Sequence, residues 1–152
     1  MNTVKKEALT IVGIETRTSN TAGKAEIQIP KLWHEFTHNN SLKALPNKMD
    51  ETIYALYTDY ESDHTGDYTV ILGFAVSHLD LVPEDLSVKI IPEANYKKFI
   101  AKGDLTADAV INTWKEVWRK ELNRSYTTDF EVYDEKAMNP KNGEASIYIA
   151  VQ

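Results

Sequence analysis

Apolar and polar residues alternate along most of this chain, and two stretches replace that alternation with a period near 3.6. Residues 8–18 alternate, with Leu9, Ile11 and Gly13 on one face of a strand. After the polar segment 19–26, Ile29, Leu32, Trp33 and Phe36 recur at three- and four-residue spacing. That is the buried stripe of a short helix, and Pro30 is placed to open it because its fixed φ suits a first turn. A loop over 39–50 leads to strands at 53–60 and 68–76, joined by the turn-rich residues 62–67.

The second half repeats this order. Residues 86–91 and 96–101 are extended and separated by Pro92-Glu93. Thr106 is placed to N-cap a second helix, with Leu105 and Val110 as its hydrophobic staple. This helix runs to about residue 122, with Val110, Ile111, Trp114, Val117 and Trp118 on its apolar face. Strands at 128–133 and 145–151 follow, joined through Asn139-Pro140-Lys141-Asn142-Gly143.

Local motifs repeat as well as element order. Leu32-Trp33-His34-Glu35-Phe36 aligns with Thr113-Trp114-Lys115-Glu116-Val117, and Tyr57-Thr58-Asp59-Tyr60-Glu61 with Thr127-Thr128-Asp129-Phe130-Glu131. The pattern predicts a single α+β domain over 1–152, built from two β-α-β-β units at about 8–78 and 86–152. Joined in one antiparallel sheet, the units would place two helices on one face and leave a ligand groove on the other.

Composition narrows the function classes. With 23 acidic and 17 basic side chains the formal charge is −6, a field that repels phosphate backbones, so direct nucleic-acid binding is not expected. The chain has no cysteine, which excludes disulfide and thiolate chemistry and suits a reducing cytoplasm. The apolar stretch 8–14 contains Thr10 and Gly13 and precedes Glu15 and Arg17, so it reads as a strand and not as a signal peptide. No run of about 20 apolar residues offers a membrane span. A soluble, cytoplasmic protein is expected.

On strand 128–133, Phe130 and Val132 share one face while Asp129, Glu131 and Tyr133 share the other. If Phe130 and Val132 face the helices, Glu131 faces the groove. There it is either a desolvated charge awaiting a cation or an exposed edge carboxylate. Eight tyrosines and three tryptophans against four phenylalanines add flat rings with polar edges, which attract cations. Tyr57, Tyr96, Tyr133 and Tyr148 on strands are candidate ligand contacts, as are Trp114 and Trp118 where they reach the groove floor. Trp33, on the first helix stripe, reads as core. His34-Glu35-Phe36-Thr37-His38 matches the HExxH pattern of zinc peptidases. Both histidines fall opposite the apolar stripe and no third ligand is evident, so neither a metal nor any other cofactor is expected.

Several motifs together are similar to the gyrase-inhibitor-like (GyrI-like) family, the effector-binding domain of AraC-type and MerR-type regulators. They are Ile29-Pro30-Lys31-Leu32-Trp33, Tyr57-Thr58-Asp59-Tyr60-Glu61, Ile91-Pro92-Glu93-Ala94-Asn95-Tyr96, Thr113-Trp114 with Trp118, and Thr128-Asp129-Phe130-Glu131-Val132-Tyr133. The resemblance implies a duplicated β-α-β-β fold that binds bulky cationic or aromatic compounds. It also implies a glutamate of the penultimate strand, here Glu131, meeting the ligand's charge. Regulators of this kind carry a helix-turn-helix segment. Here the strand pattern starts by residue 8 and leaves no room for one, so the chain resembles stand-alone members, including those on mobile gene cassettes. The resulting expectation is a binding protein for amphipathic cations, linked to transcription regulation or resistance. Two alternatives remain open: a hydrolase of cyclopropane-containing xenobiotics using Glu131 catalytically, and an inhibitor or interaction module with a protein partner.

Overall fold

The computed structural model describes residues 3–152. Eight strands are formed: β1 (Thr3–Lys6), β2 (Leu9–Ser19), β3 (Lys48–Thr58), β4 (Asp67–Val76), β5 (Ser87–Ile91), β6 (Ala94–Gly103), β7 (Thr128–Tyr133) and β8 (Gly143–Val151). Helices α1 (Lys24–Thr37) and α2 (Asn40–Lys43) lie between β2 and β3, and α3 (Ala109–Arg119) lies between β6 and β7. Among the described residues no helix is long and apolar enough to cross a membrane.

All eight strands join one antiparallel sheet in the order β1-β6-β8-β7-β3-β4-β2-β5. Exchanging the two halves of the chain turns this order into its own reverse, which is a pseudo-two-fold axis through the β3·β7 seam. The duplication is present, with one more strand per half than the β-α-β-β unit contains. β1, too short and lysine-rich to read as a strand in advance, is the counterpart of β5. Each crosses to the other half: β1 pairs with β6, and β5 pairs with β2.

Connectivity curls the sheet. β1 lies at one end and β5 at the other, yet Lys6 of β1 and Leu9 of β2 are three residues apart, as are Ile91 of β5 and Ala94 of β6. Three residues span at most about 11 Å, so the two ends of the sheet must approach each other and the sheet becomes a half-barrel. Its inner face is packed by Ile11, Leu56, Ile71, Ile91, Tyr96, Phe130 and Tyr148. The outer face carries the helices, with α1 inserting Leu32 and Phe36 against Val12, Ala55, Val70 and Leu72. On the same face α3 inserts Trp114 and Val117 against Phe99, Ile147 and Ile149.

This reverses the expected facing of β7. Phe130 and Val132 point into the curled, helix-free side, and Glu131 points toward the helices. The side opposite the helices is filled core, which leaves no groove there, and Glu131 lies on the helix-covered side instead. Strand parity separates two faces but does not say which one the helices cover. In a half-barrel both interiors are apolar.

Two helix starts also differ from expectation. α1 begins at Lys24, six residues before Pro30, which therefore sits inside the helix. Ile29, Leu32, Trp33 and Phe36 nonetheless form its packed stripe. α3 begins after Asp108, because the Thr106 amide and hydroxyl are both engaged by Asp104 Oδ1, at 2.9 and 2.6 Å. That turn holds Thr106 ahead of the helix with its side chain as a donor, whereas an N-cap offers its side-chain oxygen as acceptor to the first turn. Asp108 takes the cap position without a side-chain bond. α3 ends at Arg119, with Leu122 still packed against the core beyond it.

A buried carboxylate between the helices

β7 runs beside β3 at the centre of the sheet, with Ala55 opposite Glu131 and Tyr57 opposite Asp129. Because Glu131 stands on the helix face, α3 can reach it from the side. Trp114 donates its indole N–H to Glu131 Oε2 at 2.6 Å, and Tyr57 donates its hydroxyl to the same oxygen at 2.8 Å. Tyr133 donates to Oε1 at 2.5 Å. The side chain is 1% exposed.

Desolvation pushes the Glu131 carboxyl above its ordinary range, against the pull of its three hydrogen bonds. Burial and the neighbouring carboxylate push the phenols of Tyr57 and Tyr133 well above theirs, so both remain donors. None of the three groups bonded to Glu131 carries a charge.

The rings are arranged crosswise about the axis. Trp33 of α1 packs edge-on against Tyr133 of the other half at 5.2 Å, and Trp114 of α3 packs edge-on against Tyr57 at 5.1 Å. Tyr68 adjoins Tyr57 at 6.0 Å, and Trp118 adjoins Trp114 at 6.4 Å. The symmetry fails at the centre, where Glu131 faces Ala55 across the seam, so among the described residues a single carboxylate stands in the middle of the cage.

Asp129, two residues earlier on the same face, is different. It is fully buried and accepts from Arg124 Nη2 at 2.7 Å, Tyr60 Oη at 2.6 Å and the Ala150 amide at 2.7 Å. The Arg124 side chain is 6% exposed, so this carboxylate has its counter-cation within the protein.

The structure brings four of the expected site residues together: Glu131, Tyr57, Tyr133 and Trp114. Trp118 lies one ring further out. Tyr96 and Tyr148 stand on the opposite face inside the half-barrel, away from Glu131, Tyr96 edge-on to Phe130 at 5.2 Å and Tyr148 stacked on it at 5.0 Å. Their strands alternate correctly, but the facing is the reverse of the one assumed. Sequence reasoning missed Trp33 and Tyr68. Trp33 had a signal, because the repeat aligns it with Trp114. His34 and His38 are exposed on α1 with ring centroids 4.4 Å apart, on the side away from the cage.

Residues 3–151 match the family described as integron-associated effector binding protein, Cass2. The Bacillus subtilis (strain 168) protein YobU, whose name places it provisionally among transcriptional regulators, is 32% identical over 144 residues, covering 92% of this chain and 90% of YobU. Among solved structures, the integron cassette protein VCH_CASS2 from the mobile metagenome of Vibrio cholerae is 30% identical. It aligns with a TM-score of 0.77 over 99% of this chain and 95% of that one. SAV2435, solved bound to tetraphenylphosphonium, aligns with a TM-score of 0.81 at 19% identity, over 99% of this chain and 93% of that one. At that identity the last likeness concerns the fold.

Proposed function

Since the chain belongs to the integron-associated effector binding protein family, we propose that it is a receptor for amphipathic, aromatic monocations, which it takes into the cage between α1 and α3. One observation carries the reading. Glu131 is a buried carboxylate surrounded by aromatic rings, with neutral hydrogen-bond donors and, among the described residues, no counter-cation. A charge in that position is poorly compensated, and a bound cation would compensate it while its apolar body covers the rings. In the closed arrangement the three donors occupy both oxygens. Entry therefore requires Trp114 or the tyrosines to turn aside, an exchange of neutral hydrogen bonds for an ion pair. The ligand bound to SAV2435, a delocalised aryl cation, has the chemistry such a cage would select.

The dryness of Glu131 favours capture over hydrolysis, which needs water held against a reacting carbon. A link to transcription, as the name of YobU suggests, would follow from ligand capture.

The test uses two ions of one shape and opposite charge, tetraphenylphosphonium and tetraphenylborate, in calorimetry and thermal-shift assays. The phosphonium should bind and raise Tm, and the borate should not. Glu131→Gln should weaken the phosphonium at least ~30-fold, the lower end of what losing one partner of a desolvated charge pair costs. Equal binding of the two ions, or none of the cation, defeats the reading.

A further inference from the structure

The β3–β4 loop brings His64 to the neighbourhood of the cage. Its ring lies nearly parallel to that of Trp118, with centroids 6.4 Å apart and planes 19° apart, and Trp118 in turn packs on Trp114. From the other side, the His64 carbonyl accepts from Asn20 Nδ2 at 3.0 Å, while Asn20 Oδ1 accepts from the Tyr68 hydroxyl at 2.6 Å. Tyr68 then adjoins Tyr57, which bonds Glu131. Two arms leave Glu131, one through α3 and one through β4, and they meet at His64.

His64 therefore closes a circuit of contacts that begins and ends at Glu131. The imidazole Nδ1 is shielded from solvent and has no hydrogen-bond partner, alone among the buried side-chain polar atoms of this circuit. Buried polar atoms without a partner are unfavourable and uncommon, and one that adjoins the rings around Glu131 is placed where an atom of a ligand held there could complete it.

We infer that His64 is a specificity-determining residue, whose Nδ1 takes a hydrogen bond from a polar substituent of the ligand while its ring face covers Trp118. Resting on the cation reading above, this narrows the ligand class to aryl cations that also bear a hydroxyl or amide group. Depending on its tautomer, the imidazole accepts from or donates to that group.

The experiment compares tetraphenylphosphonium with the three (hydroxyphenyl)triphenylphosphonium isomers by isothermal titration calorimetry. One isomer should bind the natural sequence about 3- to 10-fold more tightly than the parent ion, the range of a single neutral hydrogen bond. His64→Phe keeps the stacked ring and should abolish that preference while leaving the parent ion within about twofold. His64→Gln keeps a hydrogen-bonding group and should retain part of the preference. No preference for any isomer, or a preference that survives His64→Phe, overturns the inference while the cation reading stands. If none of the phosphonium ions binds, both fall together.

Discussion

Glu131 and Asp129 stand on one face of one strand, both buried, and differ in whether a cation accompanies them. That difference gives opposite expectations for mutation. Burial raises the Glu131 carboxyl above its unfolded value, so the native state holds its proton more tightly than the unfolded state does. The associated stability is fully present below the unfolded carboxylate range, about pH 4, and is lost as pH rises through the folded value. Glu131→Gln removes that loss. The variant should melt at a higher temperature than the natural sequence at pH 7, by a margin that shrinks toward pH 4.5. A margin independent of pH would contradict the assignment. For Arg124 the sign is reversed. Arg124→Met strands Asp129 without its cation and should destabilise by about 3–5 kcal/mol in urea unfolding. Arg124→Met with Asp129→Leu should recover part of that loss. At this scale the sequence revealed that Glu131 and Tyr133 share a face, because alternation is a local property. It could not reveal that Arg124, five residues upstream, would neutralise Asp129, because that depends on the chain turning back on itself before β7.

The elements were legible wherever periodicity alone defines them. The α1 stripe, the α3 stripe and seven of the eight strands follow from spacing, because each has one face that must be buried. What spacing missed depends on long-range partners: β1 gains its hydrogen bonds only by crossing to β6. Pro30 misled for another reason. Its preference for a first turn is weak beside the packing of α1 on β2 and β4, which holds the helix on both sides of the missing N–H. Pro30→Ala should restore that bond and raise stability by ~1–3 kcal/mol in denaturant melts; a loss would mean that the bend itself is required. Glycine placement is informative as well. Gly13 and Gly73 sit opposite each other on β2 and β4. A Cβ on Gly13 would run into the Leu72 carbonyl, and one on Gly73 into the Val12 carbonyl. Both obstacles are backbone and cannot rotate away, so Gly13→Ala should cost about 3 kcal/mol or more. Wild-type stability in that variant would show that the sheet does not coil tightly at this crossing.

In the whole molecule, the exchanged edge strands bind the two halves together. Neither half holds all its own edge pairings, since β1 lies on the second half and β5 on the first. Fragments 1–85 and 86–152 should therefore be unfolded when expressed separately and should regain β-rich circular dichroism when mixed. A fragment with a cooperative melt of its own would show that the exchange is dispensable. The same topology has a genetic consequence. Thr3 and Ile149 both pair with Lys97, from opposite sides, which puts the first and last strands about 10 Å apart, two strand spacings. A short linker could join the ends. If the chain were then reopened in the exposed stretch 77–81, its elements would read β5-β6-α3-β7-β8 followed by β1-β2-α1-α2-β3-β4. Apart from α2, each series is the counterpart of the other, so such a permuted gene would encode the order of strands and major helices it began with. A tandem duplication that later lost one outer unit from each end could produce it without ever passing through a different architecture.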